Sequence, residues 1–208
     1  MAKRRGDRRA AVGDLTKASD GRYIFKYFSS AIELQEKEGF SPYTEFQDLT
    51  KEYNGNVIEI FGQRLTKSDR PDISSFYKFW EVDSDKAHDK FYLLGKTQGL
   101  VATDNFEFLA DYKFVPDLHF LTEIAGLSKL QLPKGTFQIG EELQYELEPD
   151  NPKDKLAVKL LQNGKEIGYI KKYHSKVFHD AGTNRLRLTI KAIDQNGIVK
   201  RVFVKVSV

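Results

Sequence analysis

The pattern of apolar and polar positions changes character at about Pro116. Upstream of it, short apolar runs alternate with segments whose apolar residues recur at helical spacing. The clearest of these segments places Ile73, Phe76, Tyr77 and Trp80 at positions i, i+3, i+4 and i+7. Downstream, apolar and polar residues alternate with the period of two that is typical of strands. The chain is therefore predicted to be α+β, with a mixed α/β N-terminal half and a β-rich C-terminal part.

The N-terminal half is predicted to begin its folded structure at Tyr23. Residues 1–20 are polar, basic and interrupted by glycines, a composition typical of a disordered arm. A mixed α+β domain is predicted for residues 21–117. Its predicted elements, in chain order, are a strand at 23–28, a helix at 29–38, a helix at 42–53, a strand or helix start at 57–61, a helix at 72–80, and strand-length apolar runs at 91–94 and 106–112.

Residues 118–208 are predicted to form a separate small β domain. Asn163-Gly164 lies between two apolar runs and indicates a tight hairpin, because type I′ turns need positive φ angles. One short helix is predicted at 173–180. The predicted strands are 120–124, 141–148, 156–161, 167–170, 185–193 and 199–208. Six strands and one helix fit a small, partly open barrel similar to the OB and SH3 folds.

Composition excludes several kinds of site. The chain has no cysteine, which excludes disulfides and thiolate metal sites. It has no apolar stretch near the roughly 20 residues that span a membrane, and its basic start lacks the apolar segment of a secretory signal. We therefore expect a cytoplasmic protein with no membrane partner.

The chain shows no pattern typical of catalysis or of cofactor binding. Gly95-Lys96-Thr97 resembles the end of a phosphate-binding loop, but Lys90 occupies the upstream glycine position. The four histidines lack metal-ligand spacing, and no nucleophile with a neighbouring base is recognisable. We expect a protein that is not an enzyme and that uses neither a metal nor a cofactor.

The net charge of +3 is unevenly distributed along the chain. Residues 155–208 hold 12 Lys and Arg against three acidic residues, and residues 1–9 carry a net charge of +4. The part between them is therefore acidic. A basic C-terminal third is consistent with an anionic partner such as nucleic acid, and equally with a solvated surface.

The segment 140–172 combines turn formers with candidate binding residues. Asp150-Asn151-Pro152 predicts a turn, because Asx side chains bond nearby backbone groups and the proline ring restricts φ. The turn positions Asp154 at the entrance to the next strand, and Lys171 and Lys172 follow the hairpin. A carboxylate between lysines suits a sugar hydroxyl flanked by phosphates. The alternative role of Asp154 is a simple turn cap.

This segment resembles the HIRAN domain family. The family pattern combines an acidic residue, an Asn-Pro-x-Asp turn, an Ala-Val strand start, and a Gly-Tyr-hydrophobic-x-Lys sequence after a hairpin. The resemblance covers about ninety residues and implies a nucleic-acid-binding domain, since HIRAN domains of eukaryotic fork-remodelling ATPases bind single-stranded DNA and hold its 3′ hydroxyl end. The matching residues are Glu148, Pro149, Asp150, Asn151, Pro152, Asp154, Ala157, Val158, Gly168, Tyr169, Ile170 and Lys172.

The resemblance also implies roles for individual residues. By position, Asp154 would accept the terminal hydroxyl, with Asn151 beside it. Lys172 would lie near a phosphate, with Lys171 next to it in the chain. Tyr169 would lie where a polar ring of the family contacts the strand. DNA, either single-stranded or at its 3′ ends, is therefore the expected partner.

Aromatic residues that stack on bases in the family are replaced in this chain. Ser128, Lys129 and Leu130 stand at the end of the first strand, and Lys153 stands just before the key aspartate. Base stacking contributes roughly 1–3 kcal/mol per base. The resemblance therefore implies a more electrostatic site here, with Lys129 and Lys153 among the candidate nucleic-acid-binding residues and with binding that is sensitive to salt.

The two last predicted strands offer a second basic surface. If they pair, their polar faces bring together five cations around Phe203. This face suits a nucleic-acid backbone, and a solvated face with Phe203 covered is the alternative. The five cations are Arg185, Arg187, Lys191, Arg201 and Lys205.

The N-terminal half carries a fainter resemblance. Residues 57–72 and 99–108 resemble the region that precedes HIRAN in stand-alone bacterial proteins, and 25–61 is similar to the N-terminal subdomain of HipA-like toxin kinases. Arg64, with Arg70 and Asp72, is expected to form a buried ion network.

Two functions are consistent with the sequence. The first is a protein that binds single-stranded DNA or DNA 3′ ends through its HIRAN domain, in DNA repair or processing. The alternative is a protein-interaction or regulatory module, antitoxin-like, with a protein partner.

Overall fold

The chain divides into two compact units, residues 1–109 and 110–208, each with its own hydrophobic core. The structure is a computed structural model and describes residues 2–3 and 9–208. The sequence predicts a domain boundary at 117/118. The C-terminal unit begins earlier because Tyr112 and Phe114 pack against its core, with the Tyr112 ring stacked 4.0 Å from that of Phe120.

The N-terminal unit combines short antiparallel strands with four α-helices in the described part of the chain. Strands β3, β4 and β5 form one sheet in that order, and β1 pairs with β2. The bounds are β1 Ala2–Lys3, β2 Arg9–Ala10, β3 Gly13–Lys17, β4 Tyr23–Tyr27, α1 Ser29–Glu38, β5 Glu52–Tyr53, α2 Val57–Gly62, α3 Ile73–Phe79, a 3₁₀ helix Ser84–Lys86 and α4 Lys90–Thr97.

The predicted disordered arm, 1–20, is corrected for residues 13–17. These residues form β3, which pairs along its whole length with β4, from Gly13 opposite Tyr27 to Lys17 opposite Tyr23. The pairing with β4 satisfies the backbone N–H and C=O groups of β3. The polar composition of residues 13–17 gives no sign of this pairing. Residues 1 and 4–8 of the predicted arm lie outside the described residues.

Three other predictions for this unit are wrong. Residues 42–53 form turns and β5 instead of a helix, because the Tyr27 hydroxyl accepts the Tyr43 backbone N–H at 2.8 Å and the Tyr53 hydroxyl accepts that of Asp48 at 2.7 Å. The apolar run 91–94 belongs to helix α4, which Asp89 caps by accepting the Tyr92 backbone N–H. Residues 106–112 form no named strand.

The core of the N-terminal unit contains a cluster of aromatic rings in contact. The Phe61 ring lies 4.9–5.0 Å from the rings of four neighbours, mostly edge to face, as aromatic quadrupoles favour. Trp80 is buried, while Tyr77 is half-buried. The four neighbours of Phe61 are Phe25, Tyr43, Phe46 and Phe108.

A buried arginine ties the loop after α4 to helix α2. Arg64 donates two hydrogen bonds to Asp104, at 2.5 and 2.8 Å, and others to the carbonyl oxygens of Gly99 and Phe106. Burial opposes ionisation of Asp104, but these bonds outweigh it and hold the pKa of Asp104 below its usual value. The expected network with Arg70 and Asp72 is wrong, because those two residues form a separate exposed pair.

The C-terminal unit is a six-stranded antiparallel barrel. Its strands are hydrogen-bonded in the order β10-β11-β6-β9-β8-β7, and the sheet closes where Leu188 and Thr189 of β10 pair with Leu143 and Glu142 of β7. The bounds are β6 His119–Ala125, α5 Leu127–Leu130, β7 Glu142–Glu148, β8 Ala157–Gln162, β9 Lys165–Ile170, a 3₁₀ helix Lys172–His174, α6 Lys176–Ala181, β10 Arg187–Asn196 and β11 Ile198–Ser207.

The predicted α+β class and the small barrel are confirmed. All six strands form, and the barrel is closed where the sequence predicted a partly open one. The predicted helix at 173–180 divides into a 3₁₀ turn and α6, and the short helix α5 is additional. Strand alternation fills the barrel with aliphatic side chains, such as Leu160, Leu188, Ile190, Val202 and Val204, each at most 1% exposed.

Two glycines determine the geometry of the β8–β9 hairpin. Asn163 and Gly164 both have positive φ angles, 51° and 76°, as the tight turn requires. Gly168 has a φ of 129°, and a Cβ at this position would lie 2.5 Å from the Ala125 carbonyl oxygen. Only glycine allows β9 to approach β6 this closely.

None of the helices in the described part of the chain could cross a membrane, since the longest, α1, has 10 residues.

Replacing Gly168 with alanine is expected to destabilise the barrel by about 2–4 kcal/mol, because backbone must move to admit the new Cβ. Gly164→Ala is the matched control. It also has positive φ but has open space around it, so a loss of about 1 kcal/mol is expected. Urea unfolding followed by far-UV circular dichroism measures both, and equal losses would contradict the close approach.

Arg64→Lys is expected to lower the free energy of unfolding of the N-terminal unit by about 2–4 kcal/mol, because lysine cannot replace the paired bonds to Asp104. The control is Arg70→Lys, which alters an exposed pair and should cost less than about 0.5 kcal/mol. The fluorescence of Trp80, which lies in this unit, reports the transition in urea. If Arg64→Lys left the free energy of unfolding unchanged, the network would not be stabilising.

Candidate nucleic-acid interface

The loop 149–156, between β7 and β8, carries the motif found in the sequence. Asn151 organises it, because its Oδ1 accepts the backbone N–H groups of Lys153 at 3.0 Å and Asp154 at 3.3 Å. Its own backbone N–H bonds the Glu148 carbonyl oxygen at 3.1 Å. This is the local bonding expected of Asn before Pro in a turn. The loop therefore has a defined conformation before any ligand binds.

Asp154 caps the turn, and part of its carboxylate stays available. Its Oδ1 caps the turn by accepting the Leu156 backbone N–H at 3.1 Å, and its carbonyl oxygen accepts the Ala157 N–H at 2.9 Å. The residue is half-buried, and its Oδ2 accepts no hydrogen bond from the described residues. One carboxylate oxygen thus fixes the side chain and the other can still accept a ligand hydroxyl.

Glu148, Lys159 and Tyr169 form a polar cluster on the outer face of β7, β8 and β9. Glu148 forms an ion pair with Lys159 and accepts the Asn151 side-chain amide at 2.8 Å, and both contacts lower the pKa of Glu148. The bond to Glu148 in turn raises the pKa of Lys159. Burial and the Glu148 charge raise the pKa of Tyr169.

The sequence motif includes Tyr169 and Glu148, but no sequence pattern used above points to Lys159. The signal was the outward alternation of Glu146 and Glu148 on β7, since opposite charges tend to face each other across neighbouring strands. The register places Lys159 of β8 opposite Glu146 on one side and opposite Tyr169 on the other.

Two of the predicted lysines are available at this end of the barrel. Lys153 and Lys172 are exposed, and neither has an acidic group of the described residues within 4.0 Å. The pairing of Lys159 with Tyr169 means that the start of β8 and the end of β9 are neighbours. The loop 149–156 and Lys172 therefore lie at the same end of the β8–β9 hairpin. Lys129 is also exposed, on α5, which packs against β9 and β11.

The prediction that Lys171 is a nucleic-acid-binding residue is corrected. Its side chain is only 2% exposed, and its Nζ lies 3.2 Å from Oε1 of Glu123, which is itself buried. The strand alternation ends at Ile170, so the next side chain turns toward β6 instead of solvent. A buried acid requires such a cation, and Glu123 within the apolar strand 119–125 was the signal that sequence reasoning missed.

The expected five-cation face on β10 and β11 is also corrected. A bulge between Ile190 and Ala192 removes Lys191 from the regular register. Arg187 lies 3.6 Å from Glu142, and Arg201 bonds Glu123 at 2.7 Å. Neighbouring strands therefore supply acids that balance these arginines.

Arg185 and Lys205, two other members of this face, have different surroundings. Arg185 precedes β10 and lies over the Phe114 ring at 4.8 Å. Lys205 is half-buried opposite Thr189, and Asp194 stands opposite Arg201. The hairpin thus shows mixed charge, and the loop 149–156 with Lys172 is the stronger candidate interface.

Comparisons with known proteins identify a domain in the C-terminal unit. Residues 118–189 match the family model of the HIRAN domain, so the HIRAN domain inferred from the sequence motif is confirmed. The match spans 72 of the 208 residues. It supports nucleic-acid binding as the general function of this unit. No curated protein matches the chain.

Two solved structures are similar to part of the chain. One is the crystal structure of the HIRAN domain of human HLTF, with 20% identity and a TM-score of 0.35 over 42% of this chain and 74% of that chain. The other is the crystal structure of a protein from Lactobacillus plantarum, with 16% identity and a TM-score of 0.33 over 44% of this chain and 99% of that chain.

Lys159→Met is expected to raise the pKa of Glu148 toward its ordinary value of 4.5, because the main cause of the lowering is removed. The stabilisation from this pair is complete above pH 4.5 and is lost as the pH falls through the lowered pKa of Glu148. Side-chain carboxyl NMR titration measures the shift. Lys165→Met, on the exposed start of β9, should leave the pKa of Glu148 unchanged, and a shift there would contradict the assignment.

Proposed function

Since residues 118–189 match the HIRAN domain, we propose that this protein binds single-stranded DNA, with a preference for 3′ hydroxyl ends, in DNA repair or processing in the cytoplasm. The observation that carries the proposal is the Asp154 carboxylate, held by one oxygen within an ordered loop and open at the other. Lys153 and Lys172 supply positive charge at the same end of the barrel.

End preference follows from the chemistry of Asp154. A terminal 3′ hydroxyl is a hydrogen-bond donor, and an ionised carboxylate accepts it strongly. A terminal 3′ phosphate has no such donor at neutral pH and is repelled by the carboxylate. The site therefore favours the 3′ hydroxyl end, which forms a hydrogen bond with Asp154, over the 3′ phosphate end, which Asp154 repels.

Affinity comes mainly from charge in this proposal. Ser128, Lys129, Leu130 and Lys153 occupy the positions of the family's stacking aromatics, so base stacking contributes little. Phosphate contacts by exposed lysines release counterions, which makes the affinity fall steeply with salt. We propose a binding module without catalysis of its own, a role that needs no cofactor.

The decisive experiment compares labelled oligonucleotides that end in a 3′ hydroxyl or a 3′ phosphate. The wild type is expected to prefer the hydroxyl by about tenfold or more, since hydrogen bonds to charged groups contribute roughly 1.5–3 kcal/mol. Asp154→Asn should remove most of this preference. Fluorescence anisotropy at low salt measures both affinities.

Asp150→Asn is the matched control for Asp154→Asn. It removes one negative charge from the same loop, at an exposed residue, and should keep the end preference. Equal wild-type affinity for the two ends would reject end recognition. If no oligonucleotide binds at low salt and one defined protein co-purifies, the regulatory-module alternative replaces DNA binding.

Salt dependence identifies which cations contact phosphates. Lys153→Met and Lys172→Met should each reduce the slope of log affinity against log salt by about 0.7, the value for one contact on single strands. Arg187→Met should change it less, because Glu142 already faces this arginine. A series of binding curves at increasing KCl concentration gives the slopes. A larger effect of Arg187→Met would move the interface to the last hairpin.

A further inference from the structure

We propose that Glu148 and Lys159 are positioning residues that set the orientation of the Asn151 amide and, through it, of the Asp154 carboxylate. The consequence for end recognition rests on the proposed function. The geometric part stands on the contacts of the β7–β8 hairpin alone.

The contacts form a continuous path from strand β8 into the loop. Lys159 pairs with Oε1 of Glu148, and Oε2 of Glu148 accepts the Asn151 Nδ2 at 2.8 Å. The other end of the same amide, Oδ1, then accepts the backbone N–H groups of Lys153 and Asp154. Because Glu148 accepts from the Asn151 NH₂ group, the Asn151 oxygen is the end of the amide that faces the loop backbone.

The path requires a carboxylate at position 148. An ionised carboxylate presents acceptors on both oxygens, so it can receive Lys159 on one and the Asn151 amide on the other. This acceptor pair turns the Nδ2 of Asn151 toward Glu148 and leaves Oδ1 for the loop backbone. A flipped amide would present donors to two backbone N–H groups, which is repulsive.

Lys159 keeps Glu148 in place for this task. Its side chain is 23% exposed and is shared between Glu148 and the more exposed Glu146, whose Oε2 lies 3.7 Å from its Nζ. The ion pair with Lys159 directs the Glu148 carboxylate toward β8. Without it, the carboxylate is free to rotate into solvent and release Asn151.

A positioning role has a recognisable signature in binding. If the loop loosens, Lys153 and Lys172 still attract phosphates, so the affinity for internal stretches of single strand persists. The open oxygen of Asp154 is then no longer held where a terminal hydroxyl meets it. The ratio of the affinities for 3′ hydroxyl and 3′ phosphate oligonucleotides therefore changes, while the affinity for a circular oligonucleotide, which has no end, stays the same.

The test is Glu148→Gln, with Glu146→Gln as the matched control. Both changes remove one negative charge from the outer face of β7 beside Lys159, but only Glu148 contacts the loop. A glutamine at 148 offers an acceptor to only one of its two partners. We expect the preference for a 3′ hydroxyl to fall about tenfold in Glu148→Gln and to be unchanged in Glu146→Gln.

A second readout is independent of DNA. Amide hydrogen exchange at Lys153 and Asp154, measured by NMR, should speed up about tenfold or more in Glu148→Gln and stay at the wild-type rate in Glu146→Gln. Lys159→Met should behave like Glu148→Gln, and Lys159→Arg like the wild type. The Lys159 variants keep the test available if Glu148→Gln fails to fold, which a thermal melt would reveal.

The outcomes separate this inference from the proposed function. Faster exchange in Glu148→Gln with no end preference in the wild type would support the positioning pair and overturn end recognition. An end preference in the wild type that Glu148→Gln retains, with unchanged exchange, would overturn the positioning pair. Equal effects of Glu146→Gln and Glu148→Gln would overturn it as well, because charge alone would then account for them.

Discussion

The C-terminal unit depends on the close approach of strands β9 and β6 at Gly168. The two strands pair at only two positions, Ile124 with Ile170 and Ala125 with Tyr169, and a side chain at 168 would prevent even these. This approach joins the β7–β8–β9 strands to β6 and so to the rest of the barrel. Within the joined strands, the pairing of β8 with β9 brings Lys172, Tyr169 and the loop of Asp154 to one end.

Charge is the second organising factor of this unit, and acids of neighbouring strands offset part of the basic excess. Glu123 is shared by Lys171 and Arg201, while Glu148 pairs with Lys159. The formal excess of lysine and arginine in residues 155–208 is therefore partly offset by acids, while Lys172 is exposed without an acidic neighbour among the described residues. In the proposed function, this lysine and Lys153 attract the DNA at the motif loop.

Sequence patterns predicted the barrel better than the N-terminal unit, for physical reasons. Period-two alternation and the Asn163-Gly164 turn leave few options for the strands, so all six were found. The short apolar run 91–94 fits a strand or a helix equally, and the Asp89 cap decides it. Similarly, the motif located Asn151 and Asp154, but it could not distinguish Lys171, which is buried, from Lys172, which is exposed. Lys171 is buried because it pairs with Glu123, a residue 48 positions away in the chain.

Closure of the barrel also limits how a partner can bind to residues 110–208. In an open sheet the two outermost strands expose backbone donors and acceptors, onto which an extended peptide or another copy can add as a further strand. Here the six-strand order returns to its starting strand through the pairing of β7 with β10. Recognition by this unit must therefore use side chains and loops, and the unit is protected from the edge-to-edge association that leads small β domains to aggregate.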